Sequence, residues 1–245
     1  MTWWESWFGE EYLDLYPHRD LESARREAAF ALAHLPAEPT PLLDLCCGSG
    51  RHSVPLAEAG FPPIGLDYSA PLLELAHRRH RRLLLVRGDM RSLPFRDASF
   101  RAVVNFFTSF GYFLREVENV SVVAEIERVL RPRGAFLCDT FGRDYVLARL
   151  VPQEERRCPG EKEYRIRRWW NAETQRLEKE IEVRRAGSTE IFRESVRAYT
   201  ADELAALLQG AGLRIESVWG DFDEAPAGPD SPRLIVLARK PERPS

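Results

Sequence analysis

Lysine is almost missing from this sequence of 245 residues: it stands only at Lys162, Lys179 and Lys240, and arginine supplies the rest of the 35 basic side chains. With 38 acidic residues the net charge is −3, so no global field draws the chain to nucleic acid or to an anionic membrane, and either partner would need a local patch. Cysteine is also sparse. Cys46, Cys47, Cys138 and Cys158 show neither paired C-x-x-C spacing nor a histidine cluster beside them, which speaks against a zinc site and a disulfide framework. We therefore expect no metal and reduced core thiols. No run approaches the ~20 apolar residues of a membrane span, and the first residues lack a basic segment followed by an apolar core. The expectation is a cytoplasmic protein without a membrane partner. A hydrophobic content of 44% with 30% charged residues suits one α/β domain carrying an insertion.

The informative stretch is Leu42-Leu43-Asp44-Leu45-Cys46-Cys47-Gly48-Ser49-Gly50-Arg51-His52. A short apolar run, a glycine-rich turn and a helical pattern through Val54, Leu56 and Ala57 read as a buried strand, a tight loop and a helix start. Gly48 and Gly50 let the backbone turn sharply and let a ligand approach without meeting a Cβ. The following helix turns free N–H groups toward the loop. A dinucleotide loop would place a third Gly or Ala at position 53, where Ser53 stands. Asp44 discriminates further, because a carboxylate there repels a pyrophosphate and favours the ammonium of an amino-acid moiety. Ile64-Gly65-Leu66-Asp67 then repeats an apolar strand ending in an acid, the position from which a carboxylate accepts ribose hydroxyl protons.

These residues, followed by Tyr68-Ser69, Gly88-Asp89-Met90, Val103-Val104-Asn105-Phe106 and Leu130-Arg131-Pro132-Arg133-Gly134-Ala135, resemble the ordered motifs of a class I S-adenosylmethionine-dependent methyltransferase. The resemblance covers about residues 40 to 141 and resumes near Tyr199. It implies S-adenosylmethionine as cofactor, with Tyr16, Asp44, Cys46, Gly48, Gly50, Asp67, Tyr68, Asp89, Met90 and Asn105 as cofactor-binding positions. Asp89 is implied at the adenine amino group, with the Met90 backbone beside it. Cys46 departs from the family, which usually has the first Gly of the loop there; the substitution is mild if that residue keeps a negative φ. Asn105-Phe106-Phe107-Thr108 replaces the Asn/Asp-Pro-Pro-aromatic motif of DNA and protein amide methyltransferases, which speaks against those substrates.

The pattern from Pro41 alternates strand and helix. Strands are expected at Leu42–Cys46, Pro63–Asp67, Leu83–Arg87, Phe100–Phe106 and Ala135–Phe141, and helices at Arg51–Ala59, Pro71–Arg81 and Glu118–Leu130. Leu213–Trp219 and Arg233–Arg239 complete a Rossmann-like, doubly wound, mostly parallel seven-stranded sheet. After Phe141 the period changes to two, which predicts an inserted three-stranded antiparallel cap over the substrate cleft. Thr200 with Glu203 reads as a helix start. The organisation expected is 1–40 as an N-terminal helical lid, 41–142 and 200–240 as the core, and 143–199 as the cap.

Trp3, Trp4, Trp7, Phe8, Tyr12 and Tyr16 precede an Ala-faced helical stretch from Leu21 to Leu35. Three readings stay open for this aromatic segment: packing on the sheet edge, a lid over the cofactor with Tyr16 near its sulfonium end, whose removal costs activity before stability, or a membrane-interface role for the tryptophans, which Glu5, Glu10 and Glu11 oppose. In-line methyl transfer needs the acceptor about 3–3.5 Å from the methyl carbon with its lone pair aligned, so proximity carries much of the rate and no strong base is required. His18, His52 and Tyr112 are weak candidates for a catalytic role. Tyr112, Arg197 and Tyr199 are expected on the substrate side, against the alternative that Arg197 pairs with an acid such as Glu194 and Tyr199 packs on the last helix. The leading function is methyl transfer to an N or O nucleophile of a small metabolite. The alternatives are an RNA-modifying enzyme that uses Arg165, Arg167, Arg168, Trp169 and Trp170, and a cofactor-binding regulator without catalysis.

Overall fold

In the computed structural model, residues 2–16, 20–36, 41–158, 162–185 and 187–242 are described. Two short helices, α1 (Trp3–Trp7) and α2 (Glu10–Leu15), and a longer one, α3 (Leu21–His34), come first. The alternating region follows as β1 (Leu42–Leu45), α4 (Ser53–Glu58), β2 (Pro63–Asp67), α5 (Ala70–Arg79), β3 (Leu84–Arg87), β4 (Phe100–Asn105), α6 (Glu116–Val129) and β5 (Leu130–Phe141). All four residues of β1 are buried, as a central parallel strand covered on both faces requires. Local chemistry sets the helix starts. The Asp20 carboxylate accepts from Ser23 N ahead of α3, and the Ser69 hydroxyl accepts from Leu72 N ahead of α5, with Pro71 in its first turn.

The sheet order is β10-β11-β5-β4-β1-β2-β3, with β10 (Arg214–Trp219) and β11 (Arg233–Arg239) arriving late in the chain. The pairs among β1 to β5 are parallel; β11 runs antiparallel to both β5 and β10. β1 has β2 on one side and β4 on the other, so the winding direction reverses at β1, and a crevice opens there at the carboxyl ends of the strands. On one face Val122 and Ile126 of α6 and Leu204 and Leu208 of α8 (Ala201–Gly210) pack on Leu43, Val103 and Phe136. Ala28 and Ala31 of α3 close the other face over Leu42, Val104 and Leu137. Each such buried Leu, Ile or Val contributes roughly 1.5–3 kcal/mol.

The insertion has four strands, not three: β6 (Gln153–Cys158), β7 (Lys162–Asn171), β8 (Arg176–Arg185) and β9 (Ser188–Arg197), after a short α7 (Arg143–Ala148). β6 escapes sequence reading because Gln153-Glu154-Glu155-Arg156-Arg157 carries no apolar alternation; its ladder with β7 runs from Gln153 opposite Arg167 to Cys158 opposite Lys162. The alternation expected in β7 to β9 has its apolar face against the N-terminal helices. Tyr164, Ile166, Ile181 and Val183 share a core with Trp7 of α1 and Leu15 of α2. Helix starts and strand ends otherwise move by a few residues, the largest change being β5, which begins at Leu130 instead of Ala135. Among the described residues no helix is long and apolar enough to cross a membrane, and no cluster of His, Cys, Asp or Glu is placed to hold a metal ion.

Candidate active site

At the β1 reversal a cleft encloses about 1090 Å³ including its mouth. Its floor is the Cys46–Arg51 turn, one wall is Asp67, Tyr68 and Ser69 after β2 with Asp89 and Met90 after β3, and the opposite wall is Phe106, Phe107, Ser109, Tyr112 and Phe113 after β4. Trp4, Phe8, Tyr12, Leu13 and Tyr16 roof it from the N-terminal helices.

The carboxylates in and below the floor are energetically costly in the protein alone. Asp67 Oδ2 accepts from Gly48 N and its Oδ1 from Ser69 N, both at 2.8 Å, but burial outweighs these bonds and raises its pKa to about 6. Asp44, beneath the turn, accepts from Ser53 Oγ at 2.5 Å and is likewise pushed up to about 6 by burial. Asp89 behaves oppositely. Burial resists its ionisation, yet the Arg91 side chain, with Nη2 at 2.6 Å, holds it below the usual carboxylate range. Arg91 also lies over the Phe113 ring, 4.4 Å from its centroid, so Asp89 and the aromatic wall share one cation.

Of the positions expected from the sequence, Tyr16, Cys46, Gly48, Asp67, Tyr68, Asp89, Met90 and Tyr112 line the cleft. Asp44, Gly50 and Asn105 lie below the lining. Gly50 turns the loop at φ +80°, where an added Cβ would meet the Leu83 side chain at 2.8 Å. Asn105 donates Nδ2 to Leu45 O at 2.8 Å, and its buried Oδ1 has no hydrogen-bond partner. Arg197 and Tyr199 are not in the lining. Arg197 pairs with Glu203 at 3.0 Å, not with Glu194, and the Tyr199 hydroxyl donates to Glu116 at 2.9 Å with the ring 3% exposed. Both are spent on joining the insertion to the core. His18 lies outside the described residues.

His52 does reach the cleft, though in a structural setting: it stacks on Phe106 at 4.1 Å and bonds Glu27 of α3 at 2.5 Å. Burial lowers the His52 pKa, and the His52 bond with the Arg51 charge holds Glu27 ionised against its own burial. We therefore read the pair as neutral imidazole donating to carboxylate. Sequence reasoning missed Glu27, whose only signal is a charged residue on an otherwise Ala-rich helix face. It also missed the backbone of Phe107 and Thr108, both at φ near +60°, held by Phe107 N donating to Asp139 Oδ2 and Thr108 N to Asp139 O. Two consecutive left-handed non-glycine residues store strain of order 1–3 kcal/mol each beside the cleft.

Cys46 corrects the sequence reading. Its φ is +63°, the left-handed conformation that the glycine at this position would have adopted freely, while its Sγ lies 3.6 Å from Met90 Sδ. Cys46→Gly should therefore keep or raise thermal stability, by up to about 1 kcal/mol, whereas Cys46→Val should lose about 2 kcal/mol or more. Melting curves of the two variants decide this, and a destabilised glycine variant would show that sulfur packing on Met90 outweighs the backbone strain.

The profile of a methyltransferase domain matches residues 42–134, the stretch that builds the floor and both walls. A demethylmenaquinone methyltransferase of Lactiplantibacillus plantarum is 37% identical over 123 residues, which is 46% of this chain and 49% of that enzyme, so the chain spans about half the length of this curated relative. The CcbJ methyltransferase of Streptomyces caelestis superposes with a TM-score of 0.77 at 21% identity, covering 89% of this chain and 90% of that one. CalS10, an amino pentose methyltransferase from Micromonospora echinaspora solved with S-adenosylmethionine bound, gives 0.68 at 22% identity over 94% and 97%. Likeness at this identity shows a shared fold. Residues 42–134 are thus a methyltransferase domain, with its carboxylate-ended β2 over a glycine turn, in a chain that shares the fold of solved S-adenosylmethionine-dependent methyltransferases.

Proposed function

We propose that the enzyme transfers the methyl group to a nitrogen or oxygen nucleophile of a small metabolite held under the aromatic roof. The observation that carries this is the closure of the cleft: Trp4, Phe8, Tyr12 and Tyr16 cover the strand ends, leaving space suited to a small acceptor and not to a folded macromolecule. In this reading Asp67 accepts the ribose hydroxyl protons, Gly48 gives the ligand close access to backbone, Asp89 with Met90 and Tyr68 frames the adenine, and buried Asp44 supplies negative charge beneath the amino-acid end. Cys46 lines the floor, Gly50 and Asn105 shape the turn from below, and Tyr16 covers the sulfonium end. When bound, the cofactor supplies an electrophilic methyl on a positively charged sulfur. The chain's own contribution is orientation and water exclusion, the terms that convert a bimolecular displacement into a positioned one.

The lid, core and cap divisions follow the same logic, with the core holding the cofactor and the cap acting on the acceptor. The competing RNA reading loses support in the cap, because Arg165 pairs with Glu155, Arg167 with Glu180 and Arg168 with Glu154, which leaves little unbalanced charge for phosphates. Calorimetry with S-adenosylhomocysteine, followed by transfer of labelled methyl from S-adenosylmethionine to a panel of small amines and alcohols beside total RNA, tests the proposal. Label in the small acceptors supports it; label in RNA alone, or cofactor binding with no transfer across a broad panel, overturns it.

A further inference from the structure

We infer that Arg176, the first residue of β8, is a positioning residue through which the cap sets the acceptor-side wall of the cleft. The inference rests on the reading of this cleft as the methyl-transfer site. Arg176 is only 3% exposed, and among the described residues no carboxylate oxygen bonds it directly. Its guanidinium is spread over backbone carbonyls: Nη1 donates to Phe113 O at 2.9 Å, and Nη2 to Gly111 O at 3.0 Å, Tyr112 O at 3.1 Å and Ser195 O at 2.6 Å. Nε completes the set on Ser195 Oγ at 2.7 Å. Three successive carbonyls of the 111–113 segment are thus held by one cap side chain.

That segment has no ladder or helix of its own to satisfy it, so buried carbonyls there need partners brought from elsewhere. Gly111 sits at φ +92°, and a Cβ on it would come within 2.8 Å of Arg197 O, while Arg197 N donates to Gly111 O at 2.9 Å. The segment is pressed against the end of β9 with no room to drift. What it presents to the cleft is Tyr112 and Phe113. The Tyr112 ring stacks on Phe8 of the roof at 5.6 Å and 19°, and meets Trp3 edge-on at 4.9 Å. The chain of contact therefore runs from cap to guanidinium, to the 111–113 backbone, to the Tyr112 ring against the roof.

Taking a guanidinium out of water is expensive, and burial accordingly lowers the Arg176 pKa; the nearby Glu178 and Glu116 offset part of that cost. A planar five-donor fork reaches more carbonyls at once, and over a wider span, than the three donors of a single ammonium. The sequence expectation that the cap reaches the acceptor through Arg197 and Tyr199 is thereby replaced by an indirect route.

The test uses full-length protein labelled with 3-fluorotyrosine, the Tyr112 ¹⁹F resonance being assigned with Tyr112→Phe. In Arg176→Met the Tyr112 signal should broaden or split while the other tyrosine signals persist, and S-adenosylhomocysteine affinity should stay within roughly threefold of wild type, as for changes remote from that ligand. Arg176→Lys, which keeps the charge and part of the donor set, should restore a single Tyr112 signal at a shifted position and serves alone if the Met variant does not fold. An unmoved Tyr112 signal in either folded variant, or equal broadening of every tyrosine, overturns the inference. Wild-type binding of S-adenosylhomocysteine, measured on the same samples, separates that failure from failure of the site reading.

Discussion

Asp67→Ala should weaken S-adenosylhomocysteine binding by about 2–4 kcal/mol, roughly 30- to 1000-fold, the effect of losing two hydrogen bonds to a charged group. The carboxylate is positioned in advance by Gly48 N and Ser69 N, so no reorganisation is needed when hydroxyl donors arrive. A pH effect goes with it. Asp67 and Asp44 both stand at about 6 in the folded protein against 3.8 when unfolded, chiefly through burial, and the Asp44 charge adds to the difficulty of ionising Asp67. A folded-state acid with a raised pKa binds more protons than its unfolded counterpart; its contribution is fullest below pH 3.8 and is lost as pH rises through about 6. Ligand hydroxyls and a cationic ammonium favour the ionised forms, so binding near pH 6 should release protons, and affinity should fall as pH drops below that point. Calorimetry in two buffers of different ionisation enthalpy reads the proton count directly. Proton uptake, or unchanged affinity in the alanine variant, would remove Asp67 from the cofactor site.

The parts of this molecule that were legible in the sequence are those fixed locally. Period, a glycine turn, a serine cap and an acid at the end of a strand place β1, β2, α5 and the cleft floor, because each depends on residues within a few positions of one another. What was hidden depends on partners far along the chain. β6 forms because β7 offers it an edge, not because Gln153-Glu154-Glu155 prefers extension. Arg176 looks like one more charge in a polar turn until the 111–113 carbonyls surround it. Arg197 and Tyr199 carry the residue types of a substrate site, yet Glu203 and Glu116 claim them first. Cys46 is the instructive case within a motif that was read: its place in the loop was visible, but its positive φ was not, since the turn around it sets the backbone there and a cysteine side chain gives no local sign of it.

The aromatic segment at the start of the chain both lines the cleft and packs on the cap sheet, so its removal should touch stability as well as activity. A lid that only covers ligand can be removed with loss of activity before loss of stability. Here Trp7 is 1% exposed, packs against Phe192 at 5.1 Å, and donates Nε1 to Glu194 Oε1 at 2.6 Å. Glu194 also accepts from the Tyr16 hydroxyl at 2.9 Å and lies 3.3 Å from Lys179, so one cap carboxylate holds both the segment's anchor and its cleft-facing tyrosine. The cap sheet has its apolar face on these helices, and without them Tyr164, Ile166, Ile181 and Val183 would be open to water. Trp7→Ala should therefore cost about 3–5 kcal/mol, the range for truncating a buried tryptophan, and the loss should fall on the cap. Amide exchange in β7 to β9 should quicken by orders of magnitude while β1, β4 and β5, which share none of this core, keep their protection. S-adenosylhomocysteine affinity should drop less than in Asp67→Ala, since the floor and its carboxylates remain. Uniform loss of protection across both sheets would show that cap and core unfold as one unit, and undiminished protection in β7 to β9 would show that the cap needs no lid to stand.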